Sequence, residues 1–271
     1  MAALVVLAVI FVLTILGNYV DFVQRFPPAE QNYQEGTKNP PSWDHFFGSD
    51  NLGRDTWARV LEGTWISLRV GLGVAVAILI IGVLVGGAAA LVGGLGDSIL
   101  MRITDLTYAF PDLLFIILLR AVLYGRDIPG GDISLIIFAI ASVGWTTIAR
   151  LVRGQMLSLS QRDYVVAAKT LGATRSRVVF VHMLPNTLGP VIVAITFAIP
   201  LAIFAEAVLA FIGFGVEPPH ASLGVLVADG YRQIIETKWM LIFPATAIAL
   251  LMLCFTFLGD GLRDALDPRG H

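Results

Sequence analysis

Charge is scarce in this chain of 271 residues: only 14% are Asp, Glu, Lys or Arg, against about 25% in an average soluble domain. With 56% hydrophobic residues and a mean hydropathy of +0.80, that deficit excludes an ordinary soluble globular protein and describes an integral membrane one. Lysine is rarer still. Lys38, Lys169 and Lys238 are the only three, and none follows a Gly-x-x-x-x-Gly run, so the chain itself offers no P-loop for a nucleoside triphosphate. Cysteine occurs once, as Cys254 in an apolar run, which excludes an internal disulfide framework and a cysteine-based metal site. His45, His182, His220 and His271 are scattered with no i,i+4 pair, so no metal site and no cofactor are expected of this chain alone. A net charge of -2 speaks against nucleic-acid binding, which calls for a clustered basic face. No repeat or low-complexity segment stands out.

Long apolar runs are what the chain does have. A membrane helix needs about 20 mostly apolar residues, and six segments qualify: 2–20, 66–92, 103–123, 133–151, 188–212 and 239–259. The expected fold class is an all-α membrane protein with six transmembrane helices. The first run sits at the terminus, where a signal peptide is the competing reading. It lacks a basic n-region and an Ala-x-Ala cleavage site, which favours a true span. An even span count puts both termini on one side. With residues 149–187 and the C-terminus taken as cytosolic, that side holds nine Lys or Arg against seven, and six of the nine lie in the single loop. The polar stretch 21–65 divides in two. Pro27, Pro28, Pro40 and Pro41 make its first half extended or looped. Trp57, Val60, Leu61, Trp65 and Leu68 recur at helical spacing in its second half, which reads as an interfacial helix leading into the second span.

Several residues stand out within and between the spans. Gly82 and Gly86 form a Gly-x-x-x-Gly pair that allows close helix approach, within the chain or between subunits. Asp105, Asp112 and Arg120 lie in or near the third span, where charge is costly and usually faces a bundle interior or an aqueous path. The seven-residue spacing puts Asp105 and Asp112 on one face, and Pro111 is placed to kink the helix. Asp112 is a candidate for lining a translocation path, whereas an internal ion pair is the reading favoured for Asp105. Glu206, late in the fifth span, is a second path candidate; an outer gate or simple packing are the alternatives. Phe211-Ile212-Gly213-Phe214-Gly215 followed by Pro218-Pro219 reads as a helix stop and a rigid turn. Asp260, Arg263, Asp264 and Asp267 read as a solvated helix end with Pro268 as its stop.

Residues 158–186 are a polar, basic island between apolar runs. Ser160 with Asp163 three residues on reads as a capping box that opens a helix. Gly172 reads as the left-handed residue that ends it, and Thr174 as the cap of a second helix running to Pro185. Two short helices joined at a glycine make a projecting knob suited to a groove on a soluble partner; an ordinary loop is the alternative.

The run Asp163-Tyr164-Val165-Val166-Ala167-Ala168-Lys169-Thr170-Leu171-Gly172-Ala173, followed by His182-Met183-Leu184-Pro185-Asn186, resembles the EAA loop of ABC-importer permeases. The chain as a whole resembles the C-type permease subunit of the oligopeptide/dipeptide/nickel uptake family. Phe47-Gly48-Ser49-Asp50-Asn51-Leu52-Gly53-Arg54-Asp55 is similar to that family's motif ahead of the second span. Met101-Arg102, Asp105 and Ala109-Phe110-Pro111 are similar to its third-helix motif, and Gly259 through Pro268 to its C-terminal signature. The order of the four matches is that of the family.

The resemblance implies a type I importer-like permease without catalytic activity, in a bacterial or archaeal inner membrane, with both termini cytoplasmic. Residues 1–65 would be a first span with an extracytoplasmic loop, and 66–271 the permease core with its coupling loop at 158–186. Asp163, Tyr164, Ala167, Ala168, Leu171, Gly172 and Pro185 would be the ATPase-coupling residues. The implied partners are a homologous second permease, two cytosolic ABC ATPases that carry ATP and Mg, an extracytoplasmic substrate-binding protein and the lipid bilayer. There are departures: Val166 stands where the family has glutamate, Ala210 where serine is frequent, and Leu223 where tryptophan is usual. An ATP-independent secondary transporter or channel is the alternative from another class. It calls for an inverted repeat, broken helices or dense intramembrane charge, none of which stands out in the sequence. A membrane scaffold without transport is a third reading, against which Asp112 argues. Peptides are the cargo suggested first; nickel, opines and sugars stay open.

Overall fold

In the computed structural model, residues 2–34, 36–123, 125–126 and 129–266 are described, and among these the only strand-like feature is a single bridge between Ser49 and Asp55. Asp267, Pro268, Arg269 and His271 lie outside the described residues. Helix α1 (Ala2–Tyr19) and the single turn α2 (Asp21–Gln24) lead into a looped stretch that ends at Asp55. There Asp55, in an extended conformation, accepts the N–H of Ala58 at 2.8 Å and opens α3 (Thr56–Val92). The interfacial helix and the second span are thus one unbroken rod of 37 residues. At 1.5 Å per residue it is roughly 55 Å long, well beyond a hydrocarbon core of about 30 Å.

The third span is not a straight helix. Helix α4 (Gly94–Ala109) and helix α5 (Asp112–Leu123) meet at an 86° bend. Pro111 lacks an N–H and disfavours helical geometry in the residue before it, and Phe110 is accordingly extended at φ -82 and ψ 138. Helix α6 (Gly131–Leu159) then packs along α3. The glycine pair makes this possible within the chain: a Cβ on Gly82 would sit 2.6 Å from that of Ile148, and one on Gly86 only 2.4 Å from the Ala149 carbonyl oxygen.

After two short helices, α7 (Asp163–Thr170) and α8 (Arg175–Arg177), a π-helical turn at Val178–Met183 runs into α9 (Leu184–Phe211). The second helix expected to stop at Pro185 therefore continues as the fifth span. Pro185 has no N–H to give, and the chain accommodates it in the first turn of α9. The wider turn before it sends the Leu184 N–H five residues back to Val179. Helix α10 (Leu223–Arg232) lies between α9 and α11 (Trp239–Leu266), and α1 packs on α3 and α11.

Among the described residues, four helical stretches are long and apolar enough to cross a membrane: α3, α6, the run Arg175–Phe211 and α11. The bent α4–α5 pair makes a fifth if counted as one span, and α1 carries a shorter apolar stretch, Leu4–Gly17. Against the six spans read from the sequence stand four long apolar helical stretches, one crossing bent at the expected proline and a shorter first helix. Valine, isoleucine and alanine on α3, α6 and α9 form one core; a second, with Leu68, Ile203, Leu251 and Phe255, holds α11 to the other side of α3 and α9.

Candidate functional site

At the loop end of the bundle, where α3 and α6 terminate, α7 projects from the spans. Its start is not the expected capping box: Ser160 closes α6, with its hydroxyl donating to the Leu157 carbonyl at 2.7 Å, and Arg162 precedes α7 without a side-chain cap. Asp163 in the first turn and Lys169 in the last complement the helix dipole instead. The far end is as read. Gly172 has φ +84, its N–H bonds to the Lys169 carbonyl at 3.0 Å, and the Ala173 N–H reaches back to Ala168 at 3.0 Å. This 6→1 and 5→2 pair is a Schellman stop. Thr174 then accepts the Arg177 N–H at 3.4 Å and starts the next helix.

Val165, with 0% exposure, anchors α7 to the core, beside buried Val178, Val179 and Met183. Asp163, Tyr164, Val166, Ala167, Leu171 and Gly172 are exposed, and Ala168 is half-buried. Leu171 is 88% exposed at the tip. Six of the seven residues expected to couple thus share one short helix and its stop. Pro185 does not join them; it is exposed on the first turn of α9.

A cavity of about 570 Å³ lies between α3, α5, α6 and α9. Val74, Ile78, Ile116 and Phe197 give it apolar walls, and Asp112 and Thr147 are its polar groups. The bend at Pro111 places Asp112 on the first turn of α5 and leaves Asp105 on α4, so the two carboxylates do not share a helix face. Asp105 pairs with Arg150 at 2.9 Å, and Arg150 also lies 4.2 Å from the Tyr108 ring centroid.

Glu206 does not line this cavity. Its carboxylate is 0% exposed and accepts from Ser67 at 3.3 Å and from Ser222. Each serine oxygen in turn accepts a backbone N–H at the start of α10: Ser67 from Leu223 at 3.2 Å, Ser222 from Val225 at 3.3 Å. Arg120, 1% exposed, donates to Asp132 at 2.7 Å and to the Gly215 carbonyl at 3.3 Å, while Asp132 also accepts the Glu217 N–H at 3.2 Å. This ties α5, α6 and the turn after α9 together.

The polar motif ahead of α3 proves to be a buried network that sequence reading did not resolve. Asp50 accepts from Arg54 Nε and Arg59, each at 2.7 Å, and Asp229 of α10 lies 4.0 Å from Arg59. Asp55 contacts His45 at 2.8 Å. Burial raises the carboxyl pKa of Asp55, opposed by its bonds to the Ala58 N–H and His45; burial likewise raises that of Asp229, opposed chiefly by Arg59. Among the described residues no group of three or more His, Cys, Asp or Glu is placed to hold a metal ion.

Residues 46–270 match the family model for the binding-protein-dependent transport system inner membrane component. The oligopeptide transport system permease protein OppC of Bacillus subtilis (strain 168) is 42% identical over 267 residues, which cover 98% of this chain and 85% of that protein. The dipeptide transport system permease protein DppC of the same organism is 44% identical over 272 residues, covering 99% and 81%. Among solved structures, the MetNI methionine ABC transporter in an inward-facing conformation aligns with a TM-score of 0.61 over 77% of this chain and 96% of that one. An amino acid ABC transporter aligns with a TM-score of 0.61 over 76% and 93%. At 18% and 15% identity, these two structures share the fold alone.

Proposed function

This chain belongs to the family of inner-membrane components of binding-protein-dependent transport systems, and we propose that it is the permease subunit of an ATP-driven importer of peptides. The observation that carries the reading is the knob from Asp163 to Gly172: a short helix anchored by Val165, ended by a Schellman stop, with Tyr164, Ala167 and Leu171 turned outward. The names of the OppC and DppC relatives support oligopeptides or dipeptides as the cargo class.

The knob faces the cytosol and docks on one of two partner ATPases, which hold ATP and Mg. A homologous permease completes the path, and an extracytoplasmic binding protein delivers cargo. Residues 66–271 form the permease core, with 1–65 as the first helix and outer loop. ATP-driven closure of the ATPases moves the knob. Because the knob is joined directly to α6 and, through residues 174–183, to α9, its displacement rocks both helices and opens the path outward. Asp112 lines that path. Glu206 holds the outer end of α9 to α10 rather than meeting cargo. With Val166 in place of the family's glutamate, docking at the knob is more apolar.

The test is co-purification. Gly172→Asp, which sets a charge in the middle of this apolar docking surface, should remove the ATPase subunits from the affinity-purified permease pair while the pair itself stays assembled. Undiminished recovery of the ATPases with that variant would sink the docking role.

A further inference from the structure

A second cavity, of about 640 Å³, opens at the loop end between the last turns of α3 and α6 and the segment 169–183. Leu91, Met156, Val179 and Met183 give it an apolar wall, and Lys169 and Arg175 line it as well. The two cations meet only weak partners: Lys169 reaches the Ser160 carbonyl at 3.3 Å and Arg175 the Val92 carbonyl at 3.4 Å. Nearby arginines are neutralised, Arg150 by Asp105 at 2.9 Å and Arg153 by Asp97 at 2.7 Å. Among the described residues, no carboxylate forms an ion pair with Lys169 or Arg175.

The wall belongs to the last turns of helices long and apolar enough to cross a membrane. Val92 and Leu157 are lining residues that are also exposed, which leaves the apolar side of the cavity open. We propose that this cavity binds an anionic phospholipid of the cytosolic leaflet, with the phosphate between Lys169 and Arg175 and an acyl chain along Leu91, Met156, Val179 and Met183. An acidic protein segment would satisfy the cations but not the apolar wall open to lipid. The assignment of the leaflet rests on the importer reading, in which the loop end is cytosolic. There the lipid would brace α7 from beneath, against α3 and α6.

The test is native mass spectrometry of the chain, purified with whatever partners assemble, from nanodiscs that hold phosphatidylglycerol and phosphatidylcholine in equal amounts. Wild type should retain phosphatidylglycerol in preference. The double variant Lys169→Gln/Arg175→Gln should hold it about thirtyfold more weakly, from the usual strength of two basic groups at an anionic membrane surface. Arg162→Gln/Arg177→Gln, which removes two exposed cations at the same end, should retain it fully. Equal retention of the two lipids by wild type, equal losses in both double variants, or displacement of the lipid by an acidic segment of a partner overturns the proposal. The spectrum also reports assembly: lipid retained by a chain without ATPases supports the site while contradicting the importer reading. The wild-type preference is informative even if a variant fails to fold.

Discussion

Ser67 on α3 donates to Glu206 on α9 across 3.3 Å, and the same hydroxyl accepts the Leu223 N–H at the start of α10 from 3.2 Å. With Ser222 making the parallel connection, one buried carboxylate fixes three helices. Glu206→Ala strips both hydroxyls of their acceptor and should cost about 1–3 kcal/mol, the usual penalty for a buried donor left without its partner. The chain in detergent should show a lower Tm, with faster amide exchange in α10 than in α6. An unchanged melting curve would contradict the role.

Gly172 at φ +84 makes the bend that ends the knob, and a Cβ there meets nothing within 4 Å. The penalty for another residue is therefore backbone strain, about 1–2 kcal/mol for most side chains and less for asparagine. Gly172→Asn should keep ATPase co-purification near wild type, and Gly172→Val should reduce it. Equal recovery from both would show that the left-handed conformation does not matter to docking.

Gly86 faces the Ala149 carbonyl so closely that any side chain must push α6 away from α3. Gly86→Val should destabilise the chain by about 1–3 kcal/mol, the range for overpacking. Gly87→Val is the control, because a Cβ on Gly87 would stop 3.8 Å from the Met156 methyl. Similar melting of the two variants would contradict the close approach.

Among the described residues, Asp112 supplies the only carboxylate of the cavity between α3, α5, α6 and α9. Asp112→Ala should lower transport while leaving assembly with the partner permease intact, as read by uptake and by size-exclusion chromatography. Unchanged uptake would remove Asp112 from the path.

Asp229 has its carboxyl pKa raised by burial, with Arg59 opposing the shift. A raised folded-state value means that the group's stabilising contribution is fully present below the ordinary carboxylate range and is lost as pH rises through the raised value. Asp229→Asn should flatten that part of the Tm–pH curve between acid and neutral pH. A slope identical to wild type would show that Asp229 does not contribute to it.

Local signals were the legible ones. Gly172, Thr174 and the apolar runs act through neighbours within a turn or two, and the Gly82/Gly86 spacing marks a close helix approach without naming its partner, so spacing alone carries that much of the structure. Pro111 announced a kink but not its size, because an 86° turn depends on what α4 and α5 pack against. Ser160 misled: the same hydroxyl that opens one helix can close the preceding one, and α6 ran far enough to claim it. Pro185 misled likewise, since a proline in the first turn of a helix is tolerated. The partners of Glu206 were out of reach, because Ser67 lies 139 residues away and Ser222 lies 16 away across a turn. Asp132 as the counter-ion of Arg120, and Asp50 as the hub of Arg54 and Arg59, needed the fold to bring them together.

Uptake is the decisive measurement: proteoliposomes holding this chain with its partner permease and ATPases, ATP inside, and a peptide-loaded binding protein outside. Accumulation of peptide that requires both ATP and the binding protein, and that disappears with Gly172→Asp, is the expected result. Accumulation of peptide that is indifferent to ATP and to the binding protein would contradict the importer mechanism and leave a transporter that works without ATPases.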